Sequence, residues 1–328
     1  MQIHAALPTL KPELTFLQPI PRHLVHRAAM AEVFVTDALP VGDDRFLVAA
    51  QWPRDHSLYH PDRLGFSDPL LVAETLRQAS LYLAHRWYGV PLGHRFIGFG
   101  LSFEVTDHTA LRIGRTLLPV ILDAAWHRSE ERPRRSEVRL DVALSIEGRE
   151  FGRGSLRFAA VDERRYQLLR HHGAPSVTAP EEAARPLGER VPPQRVGRLR
   201  AKDSVLERSS RGWRMRADLD HAVLFDHPVD HMPLMAQLEG ARQLGHMLTA
   251  EDRPGNGGAP RVLTGLRADC LAFAELDRPI DLVVREQQPH GAASRLLLDI
   301  AQGGTVVTTV AMTWSDRSDQ PDGLSHAA

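Results

Sequence analysis

The 328-residue chain has one cysteine, Cys270, so no internal disulfide can form and a cytoplasmic protein is expected. Lysine is almost missing too: of 40 basic residues only Lys11 and Lys202 are lysines. Arginine does not shed its proton to form a Schiff base, so lysine-imine chemistry has almost no candidate residue. No apolar run is long enough to span a bilayer. The most apolar window, PLLVAETLRQASLYLA, is interrupted by Glu74 and Arg77, which points to a buried helix and to no membrane insertion. The opening residues lack the basic start, apolar run and small-residue cleavage site of an export signal. A net charge of −1 leaves no electrostatic footprint for nucleic acid or anionic lipid. There is no GK[ST] phosphate loop and no Gly-x-Ser-x-Gly elbow, and residues 255–258 (GNGG) read as a flexible turn.

What the chain does have is a repeat. DHSLYH at residues 55–60 and DHPVDH at 226–231 are each followed by a proline and then by a second matching phrase, ETLRQ at 74–78 and EGARQ at 239–243. Val25-His26-Arg27 and Val196-Gly197-Arg198 precede the two phrases at equal distance. The length already suggests two domains of roughly 150 residues. The repeat places them at 20–170 and 195–316, joined by a Pro/Ala/Gly-rich linker at 171–194. In each half a strand pair leads to the loop, then to one long helix (about 69–88 and 233–249), then to several strand-like runs. One apolar helix wrapped by a curved antiparallel sheet is a hotdog domain. The expected fold class is therefore α+β, two tandem hotdog domains forming a pseudo-dimer whose sheets join edge to edge. Exposed sheet edges leave further pairing into a homodimer open.

His-x-x-x-His is a metal-ligand spacing only on a helix, and Pro228 makes the second copy a loop, so no metal site is expected. Glu74 and Arg77 sit one turn apart in a segment that is apolar over most of its circumference (Leu70, Leu71, Ala73, Leu76, Ala79, Leu83 and Ala84). A buried carboxylate and guanidinium must be paired or used. An internal ion pair explains one instance. The recurrence as Glu239, Arg242 and Gln243 favours a site, although duplication copies structural features as faithfully as catalytic ones. Cys270 reads as a core thiol. His85, His94, His171, His172 and His246 read as ordinary surface or boundary histidines. The arginine clusters at 128–137 and 195–200 read as solvated turns or edge strands, with carrier-protein docking as the other reading.

The stretches VHRAAMAEVFVTD, AAQWPRDHSLYHP, DPLLVAETLRQASLYLAHRWYGVPLGHRF and DHPVDHMPLMAQLEGARQ resemble the A-factor biosynthesis family of tandem-hotdog enzymes. The likeness runs from about Val25 to Trp314. It implies a cofactor-free acyltransferase that moves a β-ketoacyl group from an acyl-carrier-protein thioester to the hydroxyl of dihydroxyacetone phosphate, on the way to a γ-butyrolactone or butenolide signal. The resemblance extends to β-hydroxyacyl-carrier-protein dehydratases, whose His and acid come from opposite protomers. Carried over, that pattern faces His227 toward Glu74 and His56 toward Glu239. The implied catalytic candidates are then Glu239, His227, Glu74 and His56, with Arg242, Gln243, Arg77 and Gln78 binding substrate. The loop from His to Glu is about six residues longer in the first half, and the compact second-half loop favours Glu239 and Arg242. The alternatives are a non-catalytic acyl-binding pseudo-dimer and a hotdog thioesterase or dehydratase.

Overall fold

The computed structural model describes residues 13–128, 137–173, 188–210, 212–251, 261–290 and 293–316. The first half runs β1 (Val35–Gly42), β2 (Arg45–Trp52), α1 (Leu70–Arg86), β3 (Arg95–Val105), β4 (Leu118–Arg128), β5 (Glu137–Ile146), β6 (Arg149–Val161) and α2 (Glu163–Gly173). The second runs β7 (Glu189–Arg190), β8 (Leu206–Ser209), β9 (Gly212–Met215), α3 (Leu234–Glu251), β10 (Arg261–Cys270), β11 (Ile280–His290), β12 (Ala293–Gln302) and β13 (Thr305–Asp316). These strands form one antiparallel sheet in the order β1-β2-β4-β5-β6-β3-β10-β13-β12-β11-β9-β8-β7. The order reads the same from either side of the β3–β10 seam, apart from β7 at the far edge, as a tandem repeat requires.

Sequence pattern explains the layers. In β4, Leu118, Val120, Leu122, Ala124 and Trp126 alternate inward, and in β12 Leu296, Leu298 and Ile300 do the same. Both helices are held inside the curved sheet, so α1 is buried nearly all round; Leu70, Leu71, Ala73, Leu76, Ala79, Leu83 and Ala84 are inaccessible or nearly so. Glycine permits the close approach of α1 to β6 at Gly154, where an added Cβ would lie 2.6 Å from the Leu76 side chain. One continuous apolar core includes residues of both halves. The seam pairs Glu104↔Gly265 through Gly100↔Asp269 and then stops, so the remaining residues of β3 separate from the second half.

Three features differ from the sequence reading. The hairpin before the loop is shorter in the second half, with four-residue β8 and β9 against eight-residue β1 and β2. The strand-like run RADCLAFAEL at 267–276 is strand only as far as Cys270, and its strand, β10, begins earlier, at Arg261. The charged segment after β6 forms α2, whose polar sequence gave no core-facing period. Residues 174–187 of the expected linker, 129–136 of the first arginine cluster and 255–258 lie outside the described residues.

Candidate active site

Two charged centres lie where the repeated phrases meet the central helices. Each starts from a short 3₁₀ turn, Arg22–Val25 or Pro193–Val196, which ends on a left-handed residue: His26 (φ 50°) or Gly197 (φ 66°). The next residue closes the turn through its amide, Arg27 to Arg22 O and Arg198 to Pro193 O. The reversal aims each arginine inward at the helix. Arg27 bonds Glu74 through Nε (3.0 Å) and Nη2 (2.7 Å); Arg198 bonds Glu239 through Nε (2.7 Å) and Nη2 (2.5 Å). Each arginine also reaches an aspartate of the opposite half, Arg27 to Asp226 (3.2 Å) and Arg198 to Asp68 (2.7 Å). The two halves are thus cross-tied by buried ion pairs, and removing one partner would strand a charge at a cost of several kcal/mol.

Gln78 and Gln243 have matching tasks. Gln78 accepts from the Phe34 amide and donates to Glu32 O and Glu74; Gln243 accepts from the Val205 amide and donates to Asp203 O and Glu239. Both pin the central helix to the segment that leads into the hairpin of its own half, before β1 and before β8.

The repeated histidine is not the one the sequence phrase suggests. His56 Nδ1 accepts from the amides of Leu58 and Tyr59, and its Nε2 faces Glu32. In the second half the same bonds belong to His221, whose Nδ1 accepts from Val223 and Leu224 and whose Nε2 faces Asp203. His221 precedes Glu239 by the same number of residues that separates His56 from Glu74, so the apparent six-residue length difference in the loops is really the shorter β8–β9 hairpin. Pairing DHSLYH with DHPVDH is corrected to pairing it with DHAVLF at 220–225. Both ring nitrogens of His56 are engaged within its own half, and the ring stacks on Tyr59.

Asp226 and His227 are consequently an addition without a repeated partner. Asp226 accepts from the Ala28 amide (2.8 Å) and binds Arg27, and His227 Nδ1 donates to Asp226 Oδ1 (2.5 Å). Burial opposes ionisation of Asp226, but the His227 hydrogen bond and the Arg27 charge outweigh it and hold the carboxyl below the usual range. In a neutral ring this bond keeps the proton on Nδ1 and leaves Nε2 as the acceptor. The side chain keeps 41% exposure and, one residue from the Arg27–Glu74 pair's aspartate, stands on the Glu74 side of the molecule.

Burial separates the centres. Arg77 binds Glu74 through Nε (3.0 Å) and Nη2 (2.8 Å) and keeps 24% side-chain exposure. Arg242 is down to 9%, donates to Val196 O and Gly197 O, and approaches Asp68 at 3.5 Å. Burial disfavours the Glu74 carboxylate, yet Arg27 and Arg77 prevail and set it at about 2; Asp68, by the same balance with Arg198 and Arg242, is also at about 2. Arg198 and Glu239 are fully inaccessible.

Two histidines read as incidental prove integral. His26 Nε2 lies 2.9 Å from His85 Nε2, while His85 Nδ1 donates to Val90 O. Burial first, then His85 and Arg77, lowers His26 to about 4. In the second half Gly197 takes the place of His26, and the ring of His246 fills the space: a Cβ on Gly197 would lie 2.9 Å from its Nε2. Burial, then Arg242 and Arg198, lowers His246 to about 3. Arg198 itself, in the cluster read as a solvated turn, is a core residue of the second centre.

The Phe96 ring packs on His26 (5.3 Å) and His85 (5.2 Å) and lines a cavity of about 380 Å³ where β3 and β10 part. Cys270 also lines it, its thiol pushed up to about 11 by burial and Asp269. A thiol so raised is no nucleophile. The missed residues had one legible signal, the paired Val-x-Arg phrases before each loop; Asp68, Asp226 and His26 stood inside quoted phrases that gave them no role.

Sheet order, two enclosed helices and two cross-tied charged centres define a double-hotdog protein. The A-factor biosynthesis hotdog domain matches residues 9–162 and 179–316, and the chain belongs to that family. It is 37% identical over 265 residues to a 2-oxo-3-(phosphooxy)propyl 3-oxoalkanoate synthase of Streptomyces virginiae, covering 79% of this chain and 85% of the relative. The protein of that name from Streptomyces coelicolor is 34% identical over 300 residues, covering 89% and 90%. Among solved structures, an acyl-ACP thioesterase from Bacteroides thetaiotaomicron aligns with a TM-score of 0.48 at 12% identity, covering 82% of this chain and 98% of that one.

Proposed function

We propose that the protein is a 2-oxo-3-(phosphooxy)propyl 3-oxoalkanoate synthase, joining the β-ketoacyl group of a carrier-protein thioester to dihydroxyacetone phosphate, and that the Glu74 centre is the reacting cleft. The family and the names of its relatives support the reaction. The observation that carries the choice of cleft is the Asp226–His227 pair, a half-exposed imidazole with its tautomer fixed, beside the more exposed of the two arginine centres.

In this reading His227 Nε2 takes the proton of the acceptor hydroxyl as its oxygen attacks the thioester carbonyl. The tetrahedral intermediate collapses, the C–S bond breaks, and the imidazolium returns the proton to the departing thiolate. Arg77 presents its guanidinium to the phosphate. Glu74 stays ionised and orients Arg77, since a carboxyl at about 2 is a poor base at neutral pH. Gln78 holds α1 in place, and Glu239, Arg242, Gln243 and His56 build the matching frame. The acyl chain lies along Phe96 into the seam cavity. The setting is the cytosol, and the thioester arrives on an acyl carrier protein.

The test is incubation of the protein with a β-ketoacyl thioester, with and without dihydroxyacetone phosphate, following free thiol and product mass. A phosphorylated ester that forms only with the acceptor is expected; thiol release independent of acceptor would make the protein a thioesterase.

A further inference from the structure

The cavity beside Phe96 opens where seam pairing ends at Gly100↔Asp269, and one of its walls is α2. Arg165 and Leu169 of that helix line it. Around it Ala159, Val161 and Tyr166 form a small apolar cluster with Ile97, Phe99 and Phe273, separate from the main core. An apolar space of this size falls within the ~300–1,000 Å³ of small-ligand pockets.

The helix is clamped across the two halves. Tyr166 donates to both oxygens of Asp230 (2.8 and 2.9 Å), which also accepts from His231 Nδ1 (2.7 Å). Arg170 grips Glu275 with two bonds of 2.7 Å, donates to Asp230 O, and lies 4.9 Å over the Phe273 ring. A lone surface helix with so polar a sequence would fray, and these bonds fix it against the second half. The family match is in two segments, residues 9–162 and 179–316, and the body of α2 lies between them.

We propose that α2 is the specificity element of this protein: it walls the site for the acyl chain, and Leu169 sets which chains fit. This rests on the acyltransferase reading above for the identity of the chain, while the cavity and its wall stand on geometry alone. Bulk at Leu169 shortens the accepted chain and its removal lengthens it. The Tyr166–Asp230 bond holds the wall at its present depth.

The experiment compares wild type with Leu169→Trp, Leu169→Ala and Tyr166→Phe on a series of straight-chain β-ketoacyl thioesters of increasing length. The readouts are kcat/KM for acceptor-dependent ester formation and, independently, calorimetric affinity for non-cleavable thioether analogues of the same chains. Leu169→Trp is expected to lower the long-to-short ratio at least about tenfold, a pocket change of one or more methylenes, with the shortest chain little affected. Leu169→Ala is expected to move the ratio the other way, and Tyr166→Phe to broaden it. Analogue binding that follows this order without ester formation would sink the acyltransferase reading and sustain the role of α2. Ester formation with one unchanged chain profile in all variants, matched by unchanged analogue affinities, would overturn the role of α2 alone.

Discussion

The two halves write Glu-x-x-Arg-Gln at the same place in their central helices, yet the first centre is partly open and the second is sealed. Arg27 and Arg198 make equivalent bonds, and so do Gln78 and Gln243. The difference comes from neighbours: His26 against Gly197, and a buried Asp226 that carries the half-exposed His227 against a buried Asp68 that caps the first turn of α1 through the Leu70 amide. Duplication copied the frame, and the proposed function gives reactivity to what the frame does not share. The repeated histidines, His56 and His221, have both ring nitrogens engaged within their own halves, and His227, which has no copy, keeps a half-exposed ring.

That contrast can be broken most severely at its buried arginines. Arg198→Met leaves Glu239 and Asp68 with Arg242 as the one nearby cation and is expected to cost about 3–5 kcal/mol in urea unfolding. Arg27→Met should cost less, because Asp226 keeps its bond to a half-exposed histidine. Next come the two histidines that a sequence repeat would equate with His56. His227→Asn is expected to lower kcat about 10²–10³-fold with an unchanged unfolding midpoint. His221→Asn should do the reverse, costing about 1–3 kcal/mol through two unpaired amides while the folded enzyme keeps kcat within a few-fold. A His227→Asn enzyme with wild-type kcat would remove the Glu74 cleft as the reacting one.

Smaller effects sharpen the comparison at the left-handed turn. Gly197→Ala puts a Cβ both at positive φ and within 2.9–3.2 Å of the His246 ring, and about 1–3 kcal/mol should be lost. His26→Gly relaxes the same backbone position but forfeits the His85 bond, so its net effect is expected within about 1 kcal/mol. The pH dependence is subtler. Glu74 and Asp68, held at about 2, bind fewer protons folded than unfolded, so their contribution is full above the ordinary carboxyl range and lost as pH falls toward 2. His26 and His246, at about 4 and 3 against an ordinary 6.5, likewise stay neutral when folded, and stability declines as pH drops below 6.5. His246→Leu should therefore flatten the stability profile between pH 6.5 and 4; an unaltered slope would remove His246 from the account.

Much of the frame was legible beforehand. Two long apolar helices, their antiparallel strands and the edge-to-edge joining of two halves followed from hydrophobic period and from the repeat. The ends of β3 and β12 fall where alternation begins and stops. The site was legible only in part. Glu74 and Glu239 declared themselves as charges in apolar helices, but their partners Arg27 and Arg198 lay far away in sequence, within phrases noticed only as repeat markers. The false alignment of DHSLYH with DHPVDH arose because the second half writes Asp-His twice, six residues apart, and the shorter hairpin made the wrong copy appear in register.

By itself the sequence determined that two like units exist, that each buries one helix, and that each buries a carboxylate needing a cation, because period, repetition and the cost of an unpaired charge are local properties of the chain. Which cation pairs with which carboxylate, which histidine pins a loop and which one stays half exposed beside Asp226, and that α2 lines a cavity at the seam, were decided only by tertiary structure. Those outcomes depend on contacts between segments of opposite halves, and burial, which sets both the ion pairs and the proton affinities, exists only once the halves have joined.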